Sequence, residues 1–101
     1  MTKPTGQKPA RINFELPAEL EAIYANLALI SHSASEIIVD FARAMPNKPK
    51  AKIHSRVVMT PMNAKLFHQA LADNLKKFEA KYGEIKIPEN IILDPERGFT
   101  R

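Results

Sequence analysis

Thr60-Pro61 opens, and Gly83 closes, the segment that most restricts what this chain can become. A threonine side chain accepts a hydrogen bond from an early helical amide. Proline suits the first helical position because its missing N–H has no partner there anyway. Between them Ala64, Phe67, Leu71, Leu75, Phe78 and Tyr82 recur at steps of three or four, which places them on one stripe of a helix. Lys65, Asp73, Lys77 and Lys81 lie off the stripe. Gly83 suits the position just past the helix, where the backbone takes a conformation that disfavours a Cβ. A helix that is apolar along one stripe must lay that stripe on another layer, and the rest of the chain has to provide it.

The preceding segments read as strands. Across Ala51–Met59, Lys52, His54 and Arg56 alternate with Ile53, Ser55 and Val57, the period of a sheet with one wet face. Glu36–Phe41 is rich in β-branched and aromatic residues. Leu20–Ile30 has helical propensity, but the turn-forming cluster Ser31-His32-Ser33-Ala34-Ser35 sets it beside Glu36–Phe41 as the first arm of a hairpin. Arg11–Leu16, with Ile12, Phe14 and Leu16 on one side, is a short strand ended by Pro17. Met45–Lys50, with two prolines, is a connection.

The expected fold is therefore α+β: a four-stranded antiparallel meander packed on one long C-terminal amphipathic helix. Residues 1–10 read as a flexible tail, 11–83 as a single domain and 84–101 as a C-terminal extension. In that extension Ile85–Pro88 and Ile91–Leu93 can add an edge strand or reach a partner subunit. A length of 101 residues allows one modest core, and small single-sheet domains often complete theirs by pairing with a copy. A homodimer is expected.

Cysteine is absent, which excludes disulfides, thiolate metal sites and cysteine nucleophiles. That composition fits a reducing compartment. Met1–Ala10 has no apolar run of the secretory kind, and no stretch approaches a membrane span. The expected location is the cytoplasm.

Net charge is +4, and its distribution says more than its total. No acidic residue lies between Asp40 and Asp73, while Arg43, Lys48, Lys50, Lys52, Arg56 and Lys65 do. Arg43, Lys48, Lys50, Lys52, His54 and Arg56 can form an electrostatic footprint for phosphates, with Tyr24 stacking on an unpaired base. The competing reading is a solvated edge strand guarded by lysines.

If the helix covers the face carrying Leu27, Leu29, Ile37, Val39, Phe41, Ile53 and Val57, the other face carries Tyr24, Asn26, Ala28, Glu36, Ile38, Asp40, Lys52, His54 and Arg56. Simple registers then put Asn26, Asp40 and His54 in one row, with Lys52 and Arg56 diagonal to Asp40. Such a row can serve acid–base chemistry. With no nucleophile, oxyanion donor or enclosing pocket beside it, a cross-strand polar ladder is the better reading. The serines at 31, 33 and 35 lack the glycine-flanked elbow of a nucleophile and read as a turn. His32, His54 and His68 have no metal-ligand spacing, and neither a metal nor a cofactor is expected.

Several stretches together carry a resemblance. They are Tyr24-Ala25-Asn26, Ser31-His32-Ser33-Ala34-Ser35-Glu36, Asp40-Phe41-Ala42-Arg43, His54–Pro61 and Ala64-Lys65-Leu66. Over roughly Arg11–Ile87 the chain resembles a family of short prokaryotic proteins known as domain of unknown function 3467, which implies no activity. Strands running through Ser55–Met59 into Thr60-Pro61-Met62 and an amphipathic helix are also similar to the Pur-alpha repeat and to the Whirly and PC4 coactivator folds. That likeness implies a dimer that binds single-stranded nucleic acid on a basic sheet. The chain departs from it in its few aromatic residues and in Glu36 and Asp40. The reading is a non-enzymatic dimeric nucleic-acid-binding module. The alternative is a protein-interaction module working through the open sheet face or the Ile85–Leu93 arm.

Overall fold

A computed structural model describes residues 11–89, 92–94 and 98–100; the expected tail at 1–10 lies outside them. Strand β1 spans Leu27–His32, β2 Ile37–Arg43 and β3 Lys52–Met59. Helix α1 spans Pro61–Tyr82. Two three-residue strands follow, β4 at Ile92–Asp94 and β5 at Gly98–Thr100. The chain is α+β, with an antiparallel sheet of order β3-β2-β1-β5-β4.

The meander before the helix has three strands, not four. Arg11–Leu16 forms no strand, and Phe14 is 92% exposed. The reason is topological. A strand preceding β1 would have to pair along the free edge of β1, and β5 holds that edge through Ala28–Phe99 and Leu29–Gly98. The extension thus supplies the edge strands that the N-terminal segment does not. Leu20–Asn26 is also not strand, since β1 begins at Leu27.

The first hairpin turns over Ser33–Glu36. Ser33 N donates to Glu36 O at 3.0 Å, and Ser35 N donates to Ser33 Oγ at 3.3 Å, so Ser33 and Ser35 form the turn, while Ser31 and His32 of the expected turn cluster belong to β1. This loop pairs His32 with Ile37 and Leu29 with Asp40. In β1 it is therefore the even-numbered residues that share a face with Ile37, Val39 and Phe41. Ala28 and Ile30 join the helix side, and Leu29 moves to the opposite side, because a shift of one residue exchanges the faces of a whole strand.

The second hairpin contains a bulge. Phe41 pairs with Ser55 but Ala42 pairs with Ile53, leaving His54 as the extra residue. The bulge turns Ile53 to the side of Ala42, away from the helix. Val57 stays opposite Val39 on the helix side, as expected.

Helix α1 starts as its sequence requires. Thr60 Oγ1 accepts from Asn63 N at 3.1 Å, and Pro61 occupies the first turn. At its end Gly83 N donates to Glu79 O at 2.9 Å with φ 103° and ψ 169°, a region that only glycine visits freely. Ile85 N donates to Glu79 Oε2 at 2.9 Å, directing the chain away from the helix.

Between sheet and helix lies an apolar groove of about 400 Å³. Ala28, Ile30, Val39 and Phe41 line its floor, and Ala64, Phe67, His68 and Leu71 its helix wall. The groove is open, and no residue of α1 is buried. Buried residues among those described are Ala28, Val39, Asp40 and Ala42. Three of the four belong to β2, which is paired on both edges.

Candidate nucleic-acid interface

The β2–β3 hairpin brings four of the expected cations to one end of the sheet. Arg43 and Lys52 are directly opposed cross-strand partners at the base of the loop. Within the loop Lys48 N donates to Met45 O at 3.3 Å, with Pro46 second and Asn47 third at φ 64°. This is the pattern of a type II turn, in which proline presets the second residue and asparagine tolerates positive φ at the third. Lys48 closes that turn and Lys50 follows it, both exposed. Arg43 and Lys52 are likewise exposed.

Tyr24 stands beside this cluster. The Arg43 guanidinium carbon lies 5.2 Å from the Tyr24 ring centroid, within cation–π range. The segment that carries Tyr24 is anchored two residues further on, at Asn26. Asn26 N donates to Ala42 O at 3.1 Å, the Asn26 side-chain amide donates to Ala44 O at 3.0 Å, and Ala44 N donates to Asn26 Oδ1 at 2.8 Å. The side chain imitates one more peptide of the ladder and pins the segment before β1 to the segment after β2.

Arg56 does not join the cluster. It pairs opposite Asp40 on the other face, with Nε 2.7 Å from Oδ1 and an Nη atom 3.0 Å from Oδ2. The two-pronged bond from Arg56 holds the Asp40 carboxyl below the usual carboxylate range; partial desolvation opposes that shift, and the nearby positive charge adds to it. Asp40 in turn raises the Arg56 guanidinium further. Arg56 thus already has an anionic partner within the chain. His54, at the bulge, is exposed.

The expected row of Asn26, Asp40 and His54 does not assemble. Asp40 stands between Leu29 and Arg56, Asn26 lies beyond the end of the β1–β2 ladder, and His54 is the unpaired bulge residue. Arg56, expected diagonal to Asp40, is directly opposite it. Among the described residues no three histidine or acidic side chains lie close enough together to hold a metal ion.

One feature was legible in principle yet missed from the sequence. A helix of 22 residues is about 33 Å long, whereas the five strands span about 19 Å side by side and the longest, of 8 residues, about 27 Å. The stripe must therefore outrun the sheet. Leu75, Phe78 and Tyr82 do so, lying with Ile85 on a second apolar surface at the far end of α1.

The fold and site define a small antiparallel sheet-and-helix protein with a basic hairpin tip. The sequence profile of the family described as "Protein of unknown function (DUF3467)" matches residues 1–87, and the chain belongs to that family. No curated protein and no solved structure matches it. Among the described residues no helix is long and apolar enough to cross a membrane.

Proposed function

We propose that the chain is a non-enzymatic nucleic-acid-binding module that grips the phosphate backbone of a single strand with the tip of its β2–β3 hairpin. The observation that carries this reading is the convergence of Arg43, Lys48, Lys50 and Lys52 on one hairpin end. The whole span from Phe41 to Ala72 contains no acidic residue to neutralise them. Lysine and arginine at such a tip release condensed counterions when they meet phosphates, which supplies affinity without sequence preference. Tyr24, two-thirds exposed and backed by Arg43, offers a flat surface on which one base can stack. His54 lies two residues past Lys52 and can add a contact at the rim.

The test is a salt titration of binding to short fluorescent single-stranded DNA and RNA. Affinity should fall steeply with salt, and Lys48→Glu with Lys50→Glu should reduce it at least tenfold at low salt. Arg56→Ala should leave the salt slope unchanged, because Arg56 already has its partner. Binding that is absent at low salt, or indifferent to it, removes the reading.

A further inference from the structure

We infer that a second copy of this chain seats on the apolar groove and on the helix stripe running out of it, so that the folded unit is a homodimer built about α1. Phe67, Leu71, Leu75, Phe78 and Tyr82 are between 43% and 67% exposed. Large apolar side chains carry roughly 150–250 Å² each, so half-exposure of these five, with Ile30 and Val57 beside them, leaves about 500 Å² bare per chain. Paired with itself, that area reaches about 1,000 Å², the threshold for a specific interface. A patch of this size is at the upper end of what monomers tolerate.

Two observations select a second copy over an unrelated protein. The first is permanence. Ala28, Val39 and Ala42 are the buried apolar residues among those described, too small a core to offset the ordering of the chain. The covering surface must be present whenever the chain is folded, and a sister chain satisfies that condition without any other protein. The second is self-complementarity. The N-terminal half of α1 walls the open groove, while the C-terminal half carries Leu75, Phe78 and Tyr82 on a second apolar surface that the described residues leave about half exposed. A two-fold axis crossing α1 midway between Leu71 and Leu75 lays each C-terminal half over the groove of the other chain, with the helices antiparallel. The same surface then serves both sides, as in an isologous contact.

This inference uses residues remote from the basic tip, so it stands or falls separately from nucleic-acid binding. Light scattering of the full chain at micromolar concentration should give twice 11.4 kDa, and Lys48→Glu with Lys50→Glu should leave that mass unchanged. Leu75→Glu with Phe78→Glu should abolish the dimer. Should that variant also unfold, chains bearing Leu71→Cys and Leu75→Cys are mixed instead, since each carries a single thiol in a cysteine-free background. Antiparallel pairing brings these two positions together, so the mixed disulfide should exceed either homodisulfide about tenfold. A folded wild-type monomer of 11.4 kDa overturns the inference. So does a dimer that survives both glutamates but is lost on Phe14→Glu, which would assign the interface to the N-terminal segment, and so does an absence of the mixed disulfide.

Discussion

β2 and α1 are built from similar apolar residues and end in opposite conditions. β2 alternates Ile37, Val39 and Phe41 with Ile38, Asp40 and Ala42, and three of its seven residues are buried. Helix α1 has the longer and more regular apolar stripe, and none of its residues is buried. The difference lies in where each finds its neighbours. A central strand receives partners on both edges from the sequence immediately around it, through two hairpins. A helix satisfies its own backbone within itself, so nothing but side-chain burial ties it to the rest. Among the described residues β2 finds its partners within one chain, and the helix stripe stays half exposed.

The sharpest way to break this comparison is to truncate one apolar residue in each element. Val39→Ala removes about two methyl groups from a buried site and should cost about 2 kcal/mol in urea unfolding, wherever the helix lies. Leu75→Ala separates the two possibilities for α1. On an uncovered helix it should be neutral or slightly stabilising, because alanine is the better helix former. Under a second chain it should cost about 2–5 kcal/mol, more than Val39→Ala. The second outcome is expected, with a melting temperature that rises with protein concentration.

The ladder that makes β2 self-sufficient extends one residue further than its backbone through Asn26. Asn26→Ala removes two hydrogen bonds and strands the N–H and C=O of Ala44, a loss of about 1–2 kcal/mol readable by urea unfolding. Asn26→Asp should recover part of it, because a carboxylate still accepts from Ala44 N but cannot donate to Ala44 O.

How much of this was legible in the sequence follows from the range of each interaction. Helix α1 was readable nearly to the residue, because Thr60, Pro61 and Gly83 act within one turn of their own positions. The centres of β2 and β3 were readable from composition, whereas that of β1 was not, because Leu20–Asn26 carries similar apolar residues and lies outside the strand. Nor were the faces of β1, because the length of the Ser33–Glu36 loop decides whether odd or even residues of β1 meet Val39. The bulge at His54 has no local signature, and it alone moves Ile53 across the sheet. The fourth strand failed at Arg11–Leu16 because strand formation needs a free edge, and residues some eighty positions later take it. The basic cluster was legible as a run without acids, but its membership was not. Arg56 leaves it because register sets Asp40 opposite, a fact that composition does not contain.

That Asp40–Arg56 pair is the salt bridge of β2 among the described residues, and it yields the smallest of the expected effects. The Asp40 carboxylate is largely covered, with 10% of its side chain exposed, whereas Arg56 is 63% exposed and well screened by solvent. Because Asp40 titrates lower in the folded chain than in the unfolded one, its contribution is fully present above the ordinary carboxylate pKa of about 3.9 and is lost as pH falls through the lower folded value. Arg56 keeps its proton throughout and adds no pH dependence of its own in this range. Asp40→Asn should therefore lower stability by a constant amount at neutral pH, and the gap from wild type should close in acid below about pH 4. Arg56→Lys keeps the charge but loses the second prong of the bond, and should fall between wild type and Arg56→Ala. A gap between Asp40→Asn and wild type that widens on acidification would place the stabilising role of Asp40 in its protonated form, and β2 would then owe nothing to its ion pair.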